Sequence, residues 1–349
     1  VKVFDYQRAE SVEAAVAAAR QPETAFYAGG TNLIDLMKAG IRQPETLVDI
    51  SRIEALRCLE TLEDGSVRIG ALVRNSDLAN DVSFARDFPA VAEALLSGAS
   101  PQLRNAATIG GNLMQQTRCR YFYDRHSACN LHEAGHGCDA LDGENSAHAV
   151  LGWTRSCIAV HPSDFCVPLA ALGAVIEVQG PEGHRGILID DLYALPDEKD
   201  PPRATLQQGE LITALILPSQ AKSFSGNARY IKLRDRTSYA FAIVSAAAML
   251  QIGDGKITDA RLALGGVAAK PWRSRKAETV LNGAEADDAT FQKAAGAALA
   301  DATPSGDNAH KIELAKRVLV RALKEAAAGT PSRVSALPGS VFAETGEGS

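Results

Sequence analysis

The chain has 349 residues, 46% hydrophobic and 22% charged, with a net charge of −6. That length allows two or three domains around a sizeable core, and the composition is ordinary for a globular protein. The absence of a lysine- or arginine-rich run argues against a non-specific nucleic-acid or anionic-membrane surface, and no apolar stretch approaches the roughly 18 residues of a membrane span.

The first ten residues lack the basic-then-apolar pattern of a secretory signal, so folding in the cytoplasm is expected. Ser11 is a candidate N-cap for a helix over 11–20, and residues 25–28 read as a short buried strand. A glycine pair then leads into a helix from Leu33 to Lys38. Strands are predicted at 47–50 and 67–72, a helix starting at Ser76, and another over 89–96. Residues 113–158 show little periodicity and are rich in Arg, His, Gly and Asn, which marks a functional or cluster-supported segment. Pattern returns at 169–178 as a helix end running into a strand, then at 211–217 as a strand stopped by Pro218. Residues 218–228 read as a linker and 239–251 as an apolar run, β-prone at its start; Gly253-Asp-Gly255 predicts a hairpin into a strand at 260–264. Helices over 289–300 and 310–328 close the pattern, and 329–349 has none. Without a clean βαβ rhythm or an internal repeat, α+β is expected over a doubly wound sheet.

Two glycine segments share a recipe: Ala28-Gly29-Gly30-Thr31-Asn32-Leu33 and Thr108-Ile-Gly-Gly111-Asn112. Glycines permit positive φ and close backbone approach, and a helix start beyond them offers N–H groups to an anion. Neither has the G-x-G-x-x-G or G-x-x-x-x-G-K-[ST] spacing, which disfavours Rossmann and P-loop readings. Between them and the C-terminal half lie Cys119, Cys129, Cys138 and Cys157, spaced C-x9-C-x8-C-x18-C. Six cysteines in all are too sparse for a disulfide scaffold, and four thiolates per site is the usual count for soft metals and iron–sulfur clusters. Spacing alone leaves zinc open, with His132 and His136 as mixed ligands, although the wide gaps do not match compact C-x2-C knuckles. Cys58 and Cys166 read as packed side chains, Cys166 being near enough in sequence to compete with Cys157. Taken singly, Asp164 reads as a helix cap and Lys232 as a solvated strand lysine. No Ser-His-Asp or paired-carboxylate arrangement is legible.

The glycine segment at 28–33, Gln102-Leu-Arg-Asn-Ala-Ala-Thr-Ile-Gly-Gly-Asn112, His161-Pro-Ser-Asp164, Arg229-Tyr-Ile-Lys232 and Leu262-Ala-Leu-Gly-Gly-Val267 together resemble the FAD-binding (middle) subunit of the xanthine dehydrogenase family of molybdenum hydroxylases. The resemblance spans about residues 1–328 and is nearest to the periplasmic aldehyde oxidoreductases, whose middle subunit carries a [4Fe–4S] cluster on a matching loop. The cysteine loop is also similar to that of the β subunit of 4-hydroxybenzoyl-CoA reductase. It implies a two-subdomain FAD-binding fold of the PCMH/vanillyl-alcohol-oxidase type. The subdomains would be 1–57 and 58–218, the second with a [4Fe–4S] insertion at about 113–158. A smaller α+β C-terminal domain over 226–328 and a tail over 329–349 along a partner would follow. It further implies roles: Ala28, Gly29, Gly30, Thr31, Asn32 and Leu33 for the FAD diphosphate; Thr108, Gly111 and Asn112 for its second side and the ribose; Asp164, Ile212 and Lys232 at the flavin; and Cys119, Cys129, Cys138 and Cys157 for the [4Fe–4S] cluster.

The function so implied is electron transfer. A large molybdopterin-cofactor subunit would oxidise an aldehyde, and a small subunit with [2Fe–2S] clusters would pass electrons to this FAD and on to an external acceptor. A xanthine or N-heterocycle dehydrogenase subunit is the nearest alternative. A stand-alone flavin oxidase or a zinc-stabilised interaction module are the more distant ones. Location is expected to be cytoplasmic, or periplasmic by co-export with a partner carrying a twin-arginine signal.

Overall fold

The computed structural model describes residues 1–332, so most of the 329–349 segment expected to meet a partner lies outside the described residues. Its first unit runs β1 (Asp5–Arg8), α1 (Val12–Ala18), β2 (Thr24–Tyr27), α2 (Leu33–Lys38) and β3 (Thr46–Asp49), with a parallel sheet in the order β1-β3-β2. Ser11 caps α1 by accepting from the Ala14 amide at 3.1 Å. Ala15 and Val16 of α1 pack on Val48, Ile50, Leu56 and Leu211. This is a small βαβαβ layer that the sequence pattern conceals, because β1 is polar and exposed at every residue.

The second unit carries β4 (Leu59–Thr61), β5 (Val67–Gly70), α3 (Asn75–Asn80), α4 (Val82–Asp87), α5 (Pro89–Ser97), α6 (Pro101–Ala106), α7 (Ile109–Leu113) and α8 (Arg120–Tyr123). After a long irregular stretch come α9 (Cys166–Leu172), β6 (Val175–Gly180), β7 (Gly183–Leu188), α10 (Ile189–Leu192), β8 (Tyr193–Ala194), β9 (Arg203–Ala204) and β10 (Leu211–Leu217). An antiparallel sheet forms in the order β4-β5-β10-β6-β7. β10 sits at its centre, nearly all buried, and ends at Pro218, which has no N–H to continue the ladder. The expected linker at 218–228 is instead a 3-10 run, Ser219–Asn227, that buries Ala221 and Phe224.

The third unit is an antiparallel sheet, β11 (Ala228–Leu233), β12 (Val244–Gly253), β13 (Lys256–Gly265) and β14 (Trp272–Arg273), covered by α11 (Arg275–Leu281), α12 (Asp288–Ala298) and α13 (His310–Ala327). Asp254 and Gly255, at φ 51° and 77°, make the predicted hairpin turn. α13 buries Ala315, Leu319, Ala322, Leu323 and Ala326, a helical stripe set against the sheet. β12 is buried on both faces. Val244, Ala246, Ala248 and Leu250 join the core under α13, while Ala247 and Met249 join the core of the second unit with Leu95 and Leu169. Alternation with period 2 therefore makes one strand a wall shared by two cores, and its alanines let both sides approach closely. The molecule is α+β.

Candidate cofactor cleft and thiol cluster

Where the three units meet, a cleft of about 1070 Å³ opens. Its walls come from the Thr31–Asn32 turn, the α5–α6 connection, α7, the irregular segment after α7, residues 160–165 and the β11–β12 connection. The first glycine turn forms one lip. Gly30 is left-handed, at φ 70°, and a Cβ on Gly29 would lie 2.0 Å from the Ala106 carbonyl oxygen. Only glycine allows the turn to pack there. Among the described residues, the amides of Gly29, Gly30, Thr31 and Asn32 donate to no protein acceptor. Four successive free amides are a ready anion cradle.

The second glycine segment behaves differently. Its glycines fall inside the first turn of α7 rather than before it, with Thr108 as N-cap. The Ile109 and Gly110 amides bond the Val73 and Ala71 carbonyls at 3.0 and 2.8 Å. The Gly111 amide bonds Thr108 Oγ1 at 3.3 Å, and that of Asn112 the Thr108 carbonyl at 2.8 Å. The expectation that this segment also offers free amides is corrected from Ile109 to Asn112: the chain just after β5 takes two of these amides and Thr108 the other two. Gly111 and Asn112 line the cleft, whereas Thr108 is buried and directed to its cap. Asn112 Oδ1 accepts from Gln115 at 2.6 Å and from Ser163 Oγ at 2.7 Å, so its amide group is turned toward the cleft side of that network.

On the opposite wall Lys232 is neither solvated nor is Asp164 a cap. Ser163 Oγ takes the amide at the start of α9, while the Asp164 carboxylate accepts from Lys232 Nζ at 2.7 Å and from Tyr230 OH at 2.5 Å. The Lys232 and Asp164 side chains are 3% and 7% exposed, so the pair is held out of water, with Ser97 O taking a further Lys232 proton at 3.1 Å. Arg104, buried and lining the same cleft, reaches only the Leu96 and Gly98 carbonyls at 3.2 and 2.7 Å; among the described residues it has no carboxylate partner. Four buried side-chain atoms that find no partner among the described residues, Asn75 Oδ1, His148 Nδ1, His161 Nε2 and Ser245 Oγ, belong to residues of this cleft. Such atoms are expensive to leave unpaired, which suits a wall built to meet a polar ligand. Burial pushes the His161 imidazole down to about 3, and burial with the Lys311 charge pushes that of His148 down to about 4. Ile212, expected at the flavin, does not reach the cleft: it lies on β10 in the core with Val178 and Leu215. Ala28 and Leu33 support the first turn from behind, Ala28 against the first core and Leu33 opening α2.

The irregular segment brings its four cysteines together. Burial raises the Cys119 thiol to about 11 and the Cys157 thiol to about 12, and raises that of Cys129. In each case neighbouring thiols of the four, Cys138 included, add to the rise through their charge. Cys129 and Cys138 face each other across an antiparallel bridge. Cys166 stands apart, 3.5 Å from Tyr193 OH, and Cys58 accepts from Arg68 at 3.1 Å, so neither joins the group. His132 Nε2 lies 2.7 Å from the Phe122 carbonyl, and His136 is exposed beside Glu133. Among the described residues no three or more His, Cys, Asp or Glu close to the spacing of a single metal ion. The segment packs on α2, with Leu36, Phe122 and Cys129 in one cluster, and Arg118 donates to Asn32 Oδ1 at 3.0 Å. Cys119 and His148 themselves line the cleft.

Sequence comparison accounts for this layout. Residues 2–220 match the family described as the FAD binding domain in molybdopterin dehydrogenase. The chain belongs to that family. Residues 229–326 match the CO dehydrogenase flavoprotein C-terminal domain. The chain is 46% identical over 331 residues to the aldehyde oxidoreductase FAD-binding subunit PaoB of Escherichia coli (strain K12), covering 94% of this chain and 99% of that one. It is 28% identical to the carbon monoxide dehydrogenase medium chain of Hydrogenophaga pseudoflava, over 93% and 96% of the two chains. Among solved structures, reconstituted CO dehydrogenase from Oligotropha carboxidovorans superposes with a TM-score of 0.74 at 27% identity, covering 95% of this chain and 100% of that chain. Asn75, His148, His161 and Ser245 had no sequence signal as a set, because they come from four separate segments and only the fold places them on one wall.

Proposed function

We propose that this chain is the FAD-binding subunit of a molybdenum-dependent aldehyde oxidoreductase and that Cys119, Cys129, Cys138 and Cys157 hold a [4Fe–4S] cluster beside the flavin. It would work with a large molybdenum-cofactor subunit and a small [2Fe–2S] subunit. The aldehyde assignment rests on the 46% identity to an aldehyde oxidoreductase subunit over nearly the whole chain. The observation that carries the electron-transfer reading is that Cys119 stands in the wall of the cleft, so the thiol group and the cofactor cleft share a boundary.

FAD supplies one- and two-electron redox chemistry, and an iron–sulfur cluster supplies single-electron storage; the protein contributes position and potential. The open amides from Gly29 to Asn32 would hold the diphosphate, with buried Arg104 supplying unpaired positive charge. Gly111 and Asn112 would contact the ribose side, and the Asp164–Lys232–Tyr230 network would present fixed polar groups at the flavin end. The Asp164–Lys232–Tyr230 network is preorganised and buried, so its polar groups would not need to reorganise as the charge of the flavin changes. The sequence spacing C-x9-C-x8-C-x18-C departs from the compact C-x2-C knuckles of structural zinc sites, and four thiols suit a [4Fe–4S] cluster. Thiols raised by burial stay protonated without metal, so cluster assembly must release their protons.

The test is an absorption spectrum of anaerobically purified protein before and after dithionite, with iron and acid-labile sulfide assayed on the same sample. Flavin bands with a bleachable shoulder, and more iron than [2Fe–2S] partners contribute, are expected. Cys129→Ser should lose that excess iron and keep FAD. Flavin without excess iron in the wild type would leave the FAD assignment and overturn the cluster.

A further inference from the structure

We propose that His148 is a positioning residue that joins the thiol group to the flavin cleft: its Nε2–H donates to the Cys119 sulfur when that sulfur ligates the cluster and so raises the cluster's reduction potential. This rests on the cluster reading above. Four observations carry it. His148 Nε2 lies 3.2 Å from Cys119 Sγ, and His148 is the one histidine whose ring nitrogen meets any of the four thiols among the described residues. Its Nδ1 is buried without a partner, and the residue lines the cleft, so the ring spans from sulfur to cavity. The backbone beneath it is pinned from the C-terminal domain. Lys311 Nζ donates to the Ala147, His148 and Gly266 carbonyls at 2.7, 2.8 and 2.7 Å, and Asn308 Nδ2 donates to the His148 and Ala149 carbonyls at 3.1 and 3.0 Å. Finally, Tyr121 packs at 6.5 Å from the imidazole and restricts its rotation.

A ring fixed so firmly beside a sulfur has a definite electrostatic effect. One-electron reduction adds one negative charge to a thiolate-bound cluster, and some of that charge resides on the sulfurs. An N–H donor stabilises the reduced form more than the oxidised one, so the potential rises with the bond and falls without it.

The experiment is an EPR-monitored redox titration of the anaerobically purified holoprotein, at temperatures where a fast-relaxing [4Fe–4S] signal separates from [2Fe–2S] signals. His148→Phe, which keeps a ring and removes the donor, should lower the cluster's midpoint potential at unchanged iron, sulfide and FAD content. His148→Gln, which keeps an N–H, should recover part of the shift. An unshifted potential in His148→Phe overturns the proposal. If that variant loses iron, the wild type decides: protein carrying ¹⁵N-histidine should show a weak ¹⁵N coupling to the reduced cluster that disappears in His148→Gln, and its absence in the wild type overturns the proposal. Wild-type protein without excess iron and sulfide would instead sink the cluster reading itself, and His148's role with it, while leaving FAD binding intact.

Discussion

The two glycine segments share paired glycines and a following asparagine, yet they end in opposite states. The turn at 28–33 leaves four successive amides open, while the second segment closes those from Ile109 to Asn112. The difference lies in what stands opposite. The Ala71 and Val73 carbonyls, where the chain leaves β5, meet the second segment, and the Thr108 hydroxyl completes it. Among the described residues no acceptor takes the amides of the first turn, although the Ala106 carbonyl packs closely on Gly29. Paired glycines therefore report close backbone approach, and the neighbouring chain decides whether their amides are closed or left open. The second segment contributes instead through side chains, from Asn112 to Ser163 and so to the residue next to Asp164.

This contrast can be broken or sharpened by substitution. The largest effect is expected on the side-chain-braced wall. Lys232→Met strands the Asp164 carboxylate in a buried site, which typically costs about 3–5 kcal/mol; thermal unfolding should show a large fall in Tm, with loss of bound FAD. Acidification should follow. His161 touches the same wall through the Ser163 amide at 3.3 Å and is held neutral, its pKa lowered by burial to about 3 from 6.5. The unfolded chain binds the extra proton between those values, so stability is full above about pH 6.5 and declines as pH falls toward 3. Tm measured across that range should fall less steeply in His161→Phe. Gly29→Ala places a Cβ against the Ala106 carbonyl and forces the open turn to move. Overpacking of this kind costs about 1–3 kcal/mol, and the flavin-to-protein ratio should collapse out of proportion to that loss. Full FAD occupancy in this variant would remove the turn from the binding site. Thr108→Val removes one cap, worth about 1 kcal/mol, and should keep most of its FAD. Selective FAD loss in Thr108→Val with an unchanged Tm would reverse the comparison.

Much of the scaffold was legible because local chemistry agreed with it. Ser11 capped a helix where a serine before an alanine-rich run should, β10 stopped at Pro218, and Asp254–Gly255 turned the hairpin. The parallel layer of the first unit was not legible, since β1 is exposed and polar and its pairing with β3 is non-local. The strand expected at 239–251 begins only at Val244; the preceding residues form part of the cleft rim, with Tyr239 and Phe241 exposed. Ile212 fits the family pattern, but strand alternation turns it into the sheet core.

Composition and pattern by themselves determined an α+β chain with two glycine-rich approaches and four clustered thiols in an irregular stretch, because propensity, turn chemistry and cysteine spacing act over short distances. Tertiary structure alone decided which glycine segment is open, that Asp164 pairs with Lys232 across 68 residues, and that Cys119 and His148 share a wall with the cleft. Those outcomes depend on carbonyls, charges and voids contributed by distant segments, and a buried polar group acquires its role only from the partner that the fold brings to it.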